Sequence, residues 1–201
     1  MPSIAADTGV LPYQEILSLI SDGAIHAATE IDQLQVQPAS LDLRLGSVAY
    51  RVRASFLPGA GRSVRSVLEP LTMHEIDLSA GAVLEKGCVY IVPLQEELNL
   101  PNGISALANP KSSTGRLDVF TRLIADGSAS FDTIESGFSG PLFAEVAPCT
   151  FSVLARTGDR LSQLRLCRGR KIYNDVELRA LHDETELVQS TAVEPSFDRG
   201  V

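Results

Sequence analysis

The sequence predicts a mainly β domain with a short helix near its start and another near its end. Three observations carry this. Apolar and polar residues alternate in many short runs, Gly- and Pro-rich turns separate those runs, and only two stretches repeat with a helical period. Many short strands with regular turns belong to a sandwich or a barrel.

The first helix is read from "LPYQEILSLISDG": Pro12 suits a first turn, Gly23 a C-terminal stop, and Ile16, Leu17, Leu19 and Ile20 form its apolar face. Strands follow. "SLDLRLG" alternates Leu41, Leu43 and Leu45 against Asp42 and Arg44, and "VAYRVR" alternates Val48, Tyr50 and Val52 against Ala49, Arg51 and Arg53. "LPGAGRSVRS" reads as an internal loop. "GCVYIVPL", "GISALA", "PLFAEVA", "FSVLA" and "RLSQLRL" are further strands, set off by turns such as "EKG", "LPNG" and "RTGD". The second helix falls on "NDVELRALHDE", near residues 174–184. The organisation expected is one domain over residues 1–180, then a tail or the start of an interdomain linker over 181–201.

Bulk properties exclude several classes. A net charge of −8 argues against a nucleic-acid polymer as partner. No basic leader precedes an apolar run, and no stretch reaches the ~20 apolar residues of a membrane helix. Cys88, Cys149 and Cys167 are odd in number and widely spaced, which argues against a disulfide framework or structural zinc and for a reducing cytoplasm. His26, His74 and His182 show no metal-ligand spacing, and the zinc-deaminase signature is absent.

Four polar stretches interrupt the β pattern. In "QPASLDLRLG", residues 37–46, Asp42 is either a solvated edge residue or a binding group. In "PKSSTGR", residues 110–116, Lys111, Ser112, Ser113, Thr114 and Arg116 gather on one turn. Hydroxyls and the N–H groups of a helix start can hold phosphate oxygens, and Lys111 and Arg116 add charge-assisted bonds. The same residues also suit a capped helical turn. In "IESGFSGPLFAE", residues 134–145, Gly137 and Gly140 bracket Phe138, whose ring can lie against a base or sugar, and Glu135 sits just upstream. Glu145 stands in an apolar strand on the face of Phe143. Facing outward it is solvated; facing inward, burial raises its proton affinity toward the range useful for proton transfer. In "TGDRLSQLRL", residues 157–166, Gln163 is either a ligand-binding amide or a surface strand residue.

These stretches, in this order and with this internal spacing, resemble the deoxycytidine triphosphate (dCTP) deaminases of the trimeric deoxyuridine triphosphatase (dUTPase) superfamily. The resemblance covers roughly residues 10–170. It implies a distorted dUTPase-like β-barrel of β-clip or jelly-roll type, assembled as a homotrimer with active sites at subunit interfaces. It implies zinc-independent hydrolytic deamination of dCTP to dUTP and ammonia, with Mg2+ accompanying the triphosphate. By the same resemblance, Glu145 moves protons around the attacking water, Ser112 and Arg116 join in catalysis, and Lys111 and Ser113 contact phosphates. Glu135 matches an acid at the deoxyribose and Gln163 a glutamine near the phosphates; Asp42 and Phe138 complete the candidate substrate-binding set. The alternatives are a dUTP pyrophosphatase, with Glu135 as the water-activating base, and a nucleotide-binding or scaffolding half-domain without activity of its own.

Departures from the family pattern are visible. Lys111 replaces an arginine, Glu135 replaces an aspartate, and "LIADGSASFDT", in the region that forms the cytosine pocket, is longer than usual. The family's C-terminal phosphate lid is not recognisable, and past residue 185 the only cation is Arg199. Long members carry two such domains in tandem, and this chain resembles the first.

Overall fold

The structure, a computed structural model, describes residues 8–169 and 173–187. The strands are β1 (Gly9–Val10), β2 (Ile25–Ala27), β3 (Val36–Gln37), β4 (Ser40–Leu43), β5 (Val48–Val52), β6 (Thr72–Asp77), β7 (Ala82–Leu84), β8 (Val89–Asn99), β9 (Ile104–Pro110), β10 (Val119–Ala125), β11 (Thr133–Ile134), β12 (Ser139–Pro148), β13 (Val153–Ala155) and β14 (Ser162–Arg168). The α-helices among the described residues are α1 (Tyr13–Ser21), α2 (Val64–Leu71), α3 (Ser112–Arg116) and, after the last strand, α4 (Asp175–Thr185). Elements up to Arg168 lie in one compact unit; α4 lies in a second that begins at residue 170. Asn174 caps α4 by accepting from the N–H groups of Val176 and Glu177, and Glu177 returns the bond in a capping box. Arg199 and the rest of the expected tail past residue 187 lie outside the described residues.

The first unit is two antiparallel sheets and a small ribbon. One sheet runs β11-β9-β14-β4-β3 with β1 on β14, the other β10-β12-β8-β5-β6 with β2 on β8, and β13 pairs β7. The expected mainly β architecture is therefore present, and so are both helices. α1 buries Ile16 and Leu19 and ends beside Gly23 at φ +74, a left-handed value that glycine adopts without steric cost.

The cores explain where simple alternation fails. Leu142, Ala144 and Val146 of β12 enter the main core with leucines of β4 and β14, while Phe143 turns to a second cluster with Val52, Val64, Leu68, Ile91 and Ile124. Successive strand residues face opposite sides, so β12 is covered on both and reads as a continuous apolar run. β5 behaves likewise. Ala49 faces the main core while Tyr50 and Val52 join the second cluster, and the register shifts between Arg51 and Val52. The expected apolar face is present in Tyr50 and Val52, and Ala49 on the opposite face is buried as well.

The second cover is α2, a helix that falls partly within the expected loop "LPGAGRSVRS". Ser63 caps it by accepting from the Ser66 N–H, and Val64 and Leu68 form its buried stripe. Gly59 and Gly61 before it and Pro70 inside it mask the helical period. The segment joining β10 to β11 pins its start: the Asp126 carboxylate accepts from Val64 N at 2.7 Å, Gly127 N donates to Arg62 O at 2.9 Å, and Gly59 N donates to Ser128 O at 3.0 Å. The two longest departures from alternation are thus one packed substructure over one sheet face.

A buried charge pair joins the two sheets. Glu96 is 0% exposed and accepts from Arg44 Nε (2.7 Å), Arg44 N (2.8 Å) and Gln35 Nε2 (2.9 Å). The remaining Arg44 nitrogens donate to the carbonyls of Glu30 and Thr29. Such full pairing is what allows ions to sit in a core.

Candidate active site

The candidate residues fall into three groups on three parts of the barrel. The first sits where β4, β14 and β9 run side by side. Asp42 and Asn109 are the cross-strand partners of Gln163, so the three share one face. Ser40 Oγ donates to Gln163 Oε1 at 3.1 Å, and Lys111 Nζ is ion-paired to Asp42 Oδ2. Asp42 is 2% exposed, which corrects the solvated-edge alternative: the strand packs on both sides, so the residue opposite the leucines is buried too. Its other oxygen, Oδ1, is buried without a hydrogen-bond partner among the described residues.

Beyond Lys111 the chain turns into α3. Lys111 holds the position before its first residue, with its N–H donating to Leu161 O at 2.9 Å. Thr114 turns inward, whereas Ser112, Ser113 and Arg116 are exposed. The local turn is therefore helical, as one reading of "PKSSTGR" requires, and it presents two hydroxyls and a guanidinium to solvent beside the Lys111–Asp42 pair.

The second group is the hairpin from β11 into β12. Gly137 takes φ +76, and a Cβ there would come within 2.5 Å of Asn102 Oδ1. Glycine is required by the backbone at this point. Phe138 N donates to Glu135 O at 3.2 Å, and Leu100 N donates to Phe138 O at 2.9 Å, closing the turn. Glu135 is exposed, while Phe138 is half-buried against the main core. A cavity of about 260 Å³ opens here, lined by residues 125–130 and 133–138, with Glu135 and Phe138 among them. One wall is the long segment after β10; the other is the glycine turn.

The third group surrounds Glu145, which is 1% exposed in β12. The inward reading of this acid is the observed one. Its cross-strand partner on β10 is Arg122, whose Nε and Nη2 both donate to Glu145 Oε1, at 3.0 and 2.5 Å. Arg122 Nη2 also reaches Ser55 Oγ at 2.9 Å. The guanidinium lies 3.5 Å from the centroid of Phe131 and 4.8 Å from that of Phe120. Glu145 Oε2 is buried with no hydrogen-bond partner among the described residues. Close by, Asp132 at φ +61 accepts from Leu123 N at 2.7 Å. Burial pushes its carboxyl above the ordinary value of 3.8, the Leu123 N–H and Arg122 pull it back, and the Glu145 charge adds to the rise.

Within one chain these groups are not a single site. Among the described residues no hydrogen bond or ion pair links Glu145 to Ser112 or Arg116, and none of the three lines the 260 Å³ cavity. α3 ends before β10 begins, and Val119 to Arg122 spans about 10 Å of strand at ~3.3 Å per residue. Lys111, Asp42 and Gln163 do come together; Glu135 and Phe138 come together separately. Arg122, Ser55, Phe131 and Asp132 escaped the reading of the sequence. A signal was there: a lone arginine in "VFTRLIA", opposite in kind to the lone glutamate of "PLFAEVA", two apolar strands each with one charge.

Comparison with known proteins gives this geometry a family. Residues 7–170 match the model of the 2'-deoxycytidine 5'-triphosphate deaminase N-terminal domain. A crystal structure of 2'-deoxycytidine 5'-triphosphate deaminase from Agrobacterium tumefaciens superposes with a TM-score of 0.85 at 52% identity, covering 92% of this chain and 56% of that one. This chain thus spans little more than half the length of that protein. The "dCTP deaminase, dUMP-forming" of Halobacterium salinarum is 30% identical over 159 residues, 77% of this chain and 78% of its own. That of Beutenbergia cavernae is 27% identical over 156 residues, 77% of each. A match through nearly all of the first unit, with the glycine turn, the buried glutamate and the hydroxyl-rich turn in their expected order, places this chain in the dCTP deaminase family.

Proposed function

We propose that this chain catalyses hydrolytic deamination of dCTP without zinc, with Glu145 as the proton-handling group. The observation that carries the reading is the buried Glu145 carboxylate, anchored through Oε1 and unpartnered at Oε2, in a chain of this family. Water adds to carbon 4 of cytosine, and Oε2 takes its proton. The carboxyl passes that proton to the ring nitrogen, then takes the second from the new hydroxyl on carbon 4 and gives it to the leaving amine, so that ammonia departs and the carbonyl of uracil is left. Ser112 and Arg116 hold the water and the developing charge as preorganised donors. Because they are exposed on α3 and make no bond to Glu145 in their own chain, they come from a neighbouring copy in a homotrimer. The cavity beside the glycine turn takes the deoxyribose, with Phe138 and Glu135 at its wall, and Lys111 and Ser113 meet phosphates near Asp42 and Gln163.

Magnesium, in this reading, arrives on the triphosphate, held by phosphate oxygens and water more than by side chains. The donor set suits that: among the described residues no three His, Cys, Asp or Glu side chains converge into a cage, and a catalytic zinc takes three protein ligands. The free thiols of Cys88, Cys149 and Cys167 fit a reducing cytoplasm. For the product, the names of the Halobacterium and Beutenbergia proteins favour dUMP over the dUTP first expected. A second water would then attack at the α-phosphate, with Glu135 as the candidate to activate it, and the balance is dCTP plus two waters to dUMP, ammonia and pyrophosphate.

The test follows ammonia and pyrophosphate separately, on dCTP and on dUTP, at fixed magnesium. Equal release of both from dCTP is expected. Ammonia without pyrophosphate would return the product to dUTP. Pyrophosphate from dUTP with no ammonia from dCTP would make the chain a pyrophosphatase, and tight binding without turnover a nucleotide-binding half. Glu145→Gln keeps the shape and removes the proton acceptor, so ammonia release should fall at least ~100-fold.

A further inference from the structure

We infer that Arg122 is the positioning residue of Glu145: it fixes one carboxylate oxygen so that the other is the sole free proton acceptor. The inference rests on the deaminase reading for its consequence, but its geometry stands apart from that reading.

The arrangement is asymmetric in a way that a plain structural ion pair does not require. A carboxylate facing a guanidinium ordinarily takes it fork to fork, one N–H per oxygen. Here Nε and Nη2 both converge on Oε1, while Oε2, though buried, keeps no partner among the described residues. A buried polar atom left bare costs free energy, so its persistence calls for a reason. Proton transfer is one: the bare oxygen has the lone pairs that a water can meet, and the bonded one does not.

Arg122 is itself held from three directions. Ser55 Oγ takes Nη2 from the segment after β5; the Phe131 ring stacks from the segment between β10 and β11; Phe120 approaches along β10. The segments bearing Ser55 and Phe131 flank the two that interlock at α2, where Asp126 caps Val64. Fixing a charge by a hydroxyl and two ring faces holds the plane of the guanidinium as well as its position, a task that a lysine ammonium cannot perform. The Arg122 charge also acts on Asp132, which is bonded to Leu123 next to it on β10, so one cation serves two carboxylates.

Arg122→Lys keeps the charge and loses the plane. It should fold, with a melting temperature within a few degrees of wild type, and lower kcat about 100-fold with KM for dCTP nearly unchanged, because misplacing a reacting group by ~1 Å costs that much. Arg122→Lys placed in Glu145→Gln should cost nothing further, since the arginine acts through the glutamate. A kcat within threefold of wild type, or an additive loss in the double variant, would overturn the inference. Infrared difference spectra read the carboxylate directly: wild type minus Glu145→Gln isolates the Glu145 stretch, which should shift when Arg122 becomes lysine. An unchanged band overturns the inference even if the chain proves to have no dCTP turnover, whereas absent turnover with a shifted band overturns only the proposed function.

Discussion

At the scale of single residues, the structure concentrates its chemistry where charge meets apolar surface. Glu145 and Asp132 share Arg122, and their environments differ. Asp132 is half-buried and its carboxyl is pushed above 3.8, chiefly by burial. A group whose folded pKa exceeds its unfolded one binds protons more tightly in the native state, so its contribution to stability is greatest below 3.8 and declines as pH rises through the folded value. Asp132→Asn removes the titration, keeps an oxygen for the Leu123 N–H, and tolerates φ +61. Its stability relative to wild type should therefore improve from pH 4 to pH 7, by under about 1 kcal/mol given the partial exposure. Urea midpoints at the two pH values measure this; a difference independent of pH would show that the carboxylate is not desolvated.

At the scale of elements, the glycine turn and α2 show opposite degrees of legibility. "IESGFSG" declared its turn outright, because two glycines in seven residues leave few alternatives. Gly137 then fixes the wall of the cavity at φ +76. Gly137→Ala places a methyl against Asn102 Oδ1 and imposes left-handed strain worth about 1–2 kcal/mol. The expected result is a folded protein, less stable by that amount, with a raised KM for dCTP and a smaller change in kcat. A loss in kcat alone would separate the turn from substrate binding. α2 was hidden by glycines ahead of it and a proline inside it, and its stability comes from Val64 and Leu68 packing on the second cluster, not from propensity. β10 was equally hidden, and with it Arg122.

At the scale of the whole molecule, the separation of Glu145 from Ser112 and Arg116 makes a definite demand on assembly. If each site takes Glu145 from one copy and Ser112 from the next, two inactive variants can repair each other. Glu145→Gln and Ser112→Ala proteins, denatured and refolded together in equal amounts, should recover about a quarter of wild-type deamination, since that fraction of interfaces pairs two intact residues. No recovery, with both variants folded and mixed, would put all three residues in one chain's site and require a rearrangement within the barrel.

The sequence by itself determined the β class, α1, α4, the glycine turn, the order of the polar stretches and the placing of an acid on the strand face of Phe143; that this face is buried came from the structure. The former are local or periodic properties, readable wherever a residue's role depends on its own backbone or its near neighbours. The tertiary structure alone decided what Glu145 faces, that Asp42 is buried against Lys111, and that the long segment after β10 interlocks with the residues around α2. Those facts come from pairing Arg122 with a glutamate 23 positions away and Lys111 with an aspartate 69 positions away. Strand register and the covering of both sheet faces set such pairings, and no period in the sequence encodes which strand lies beside which.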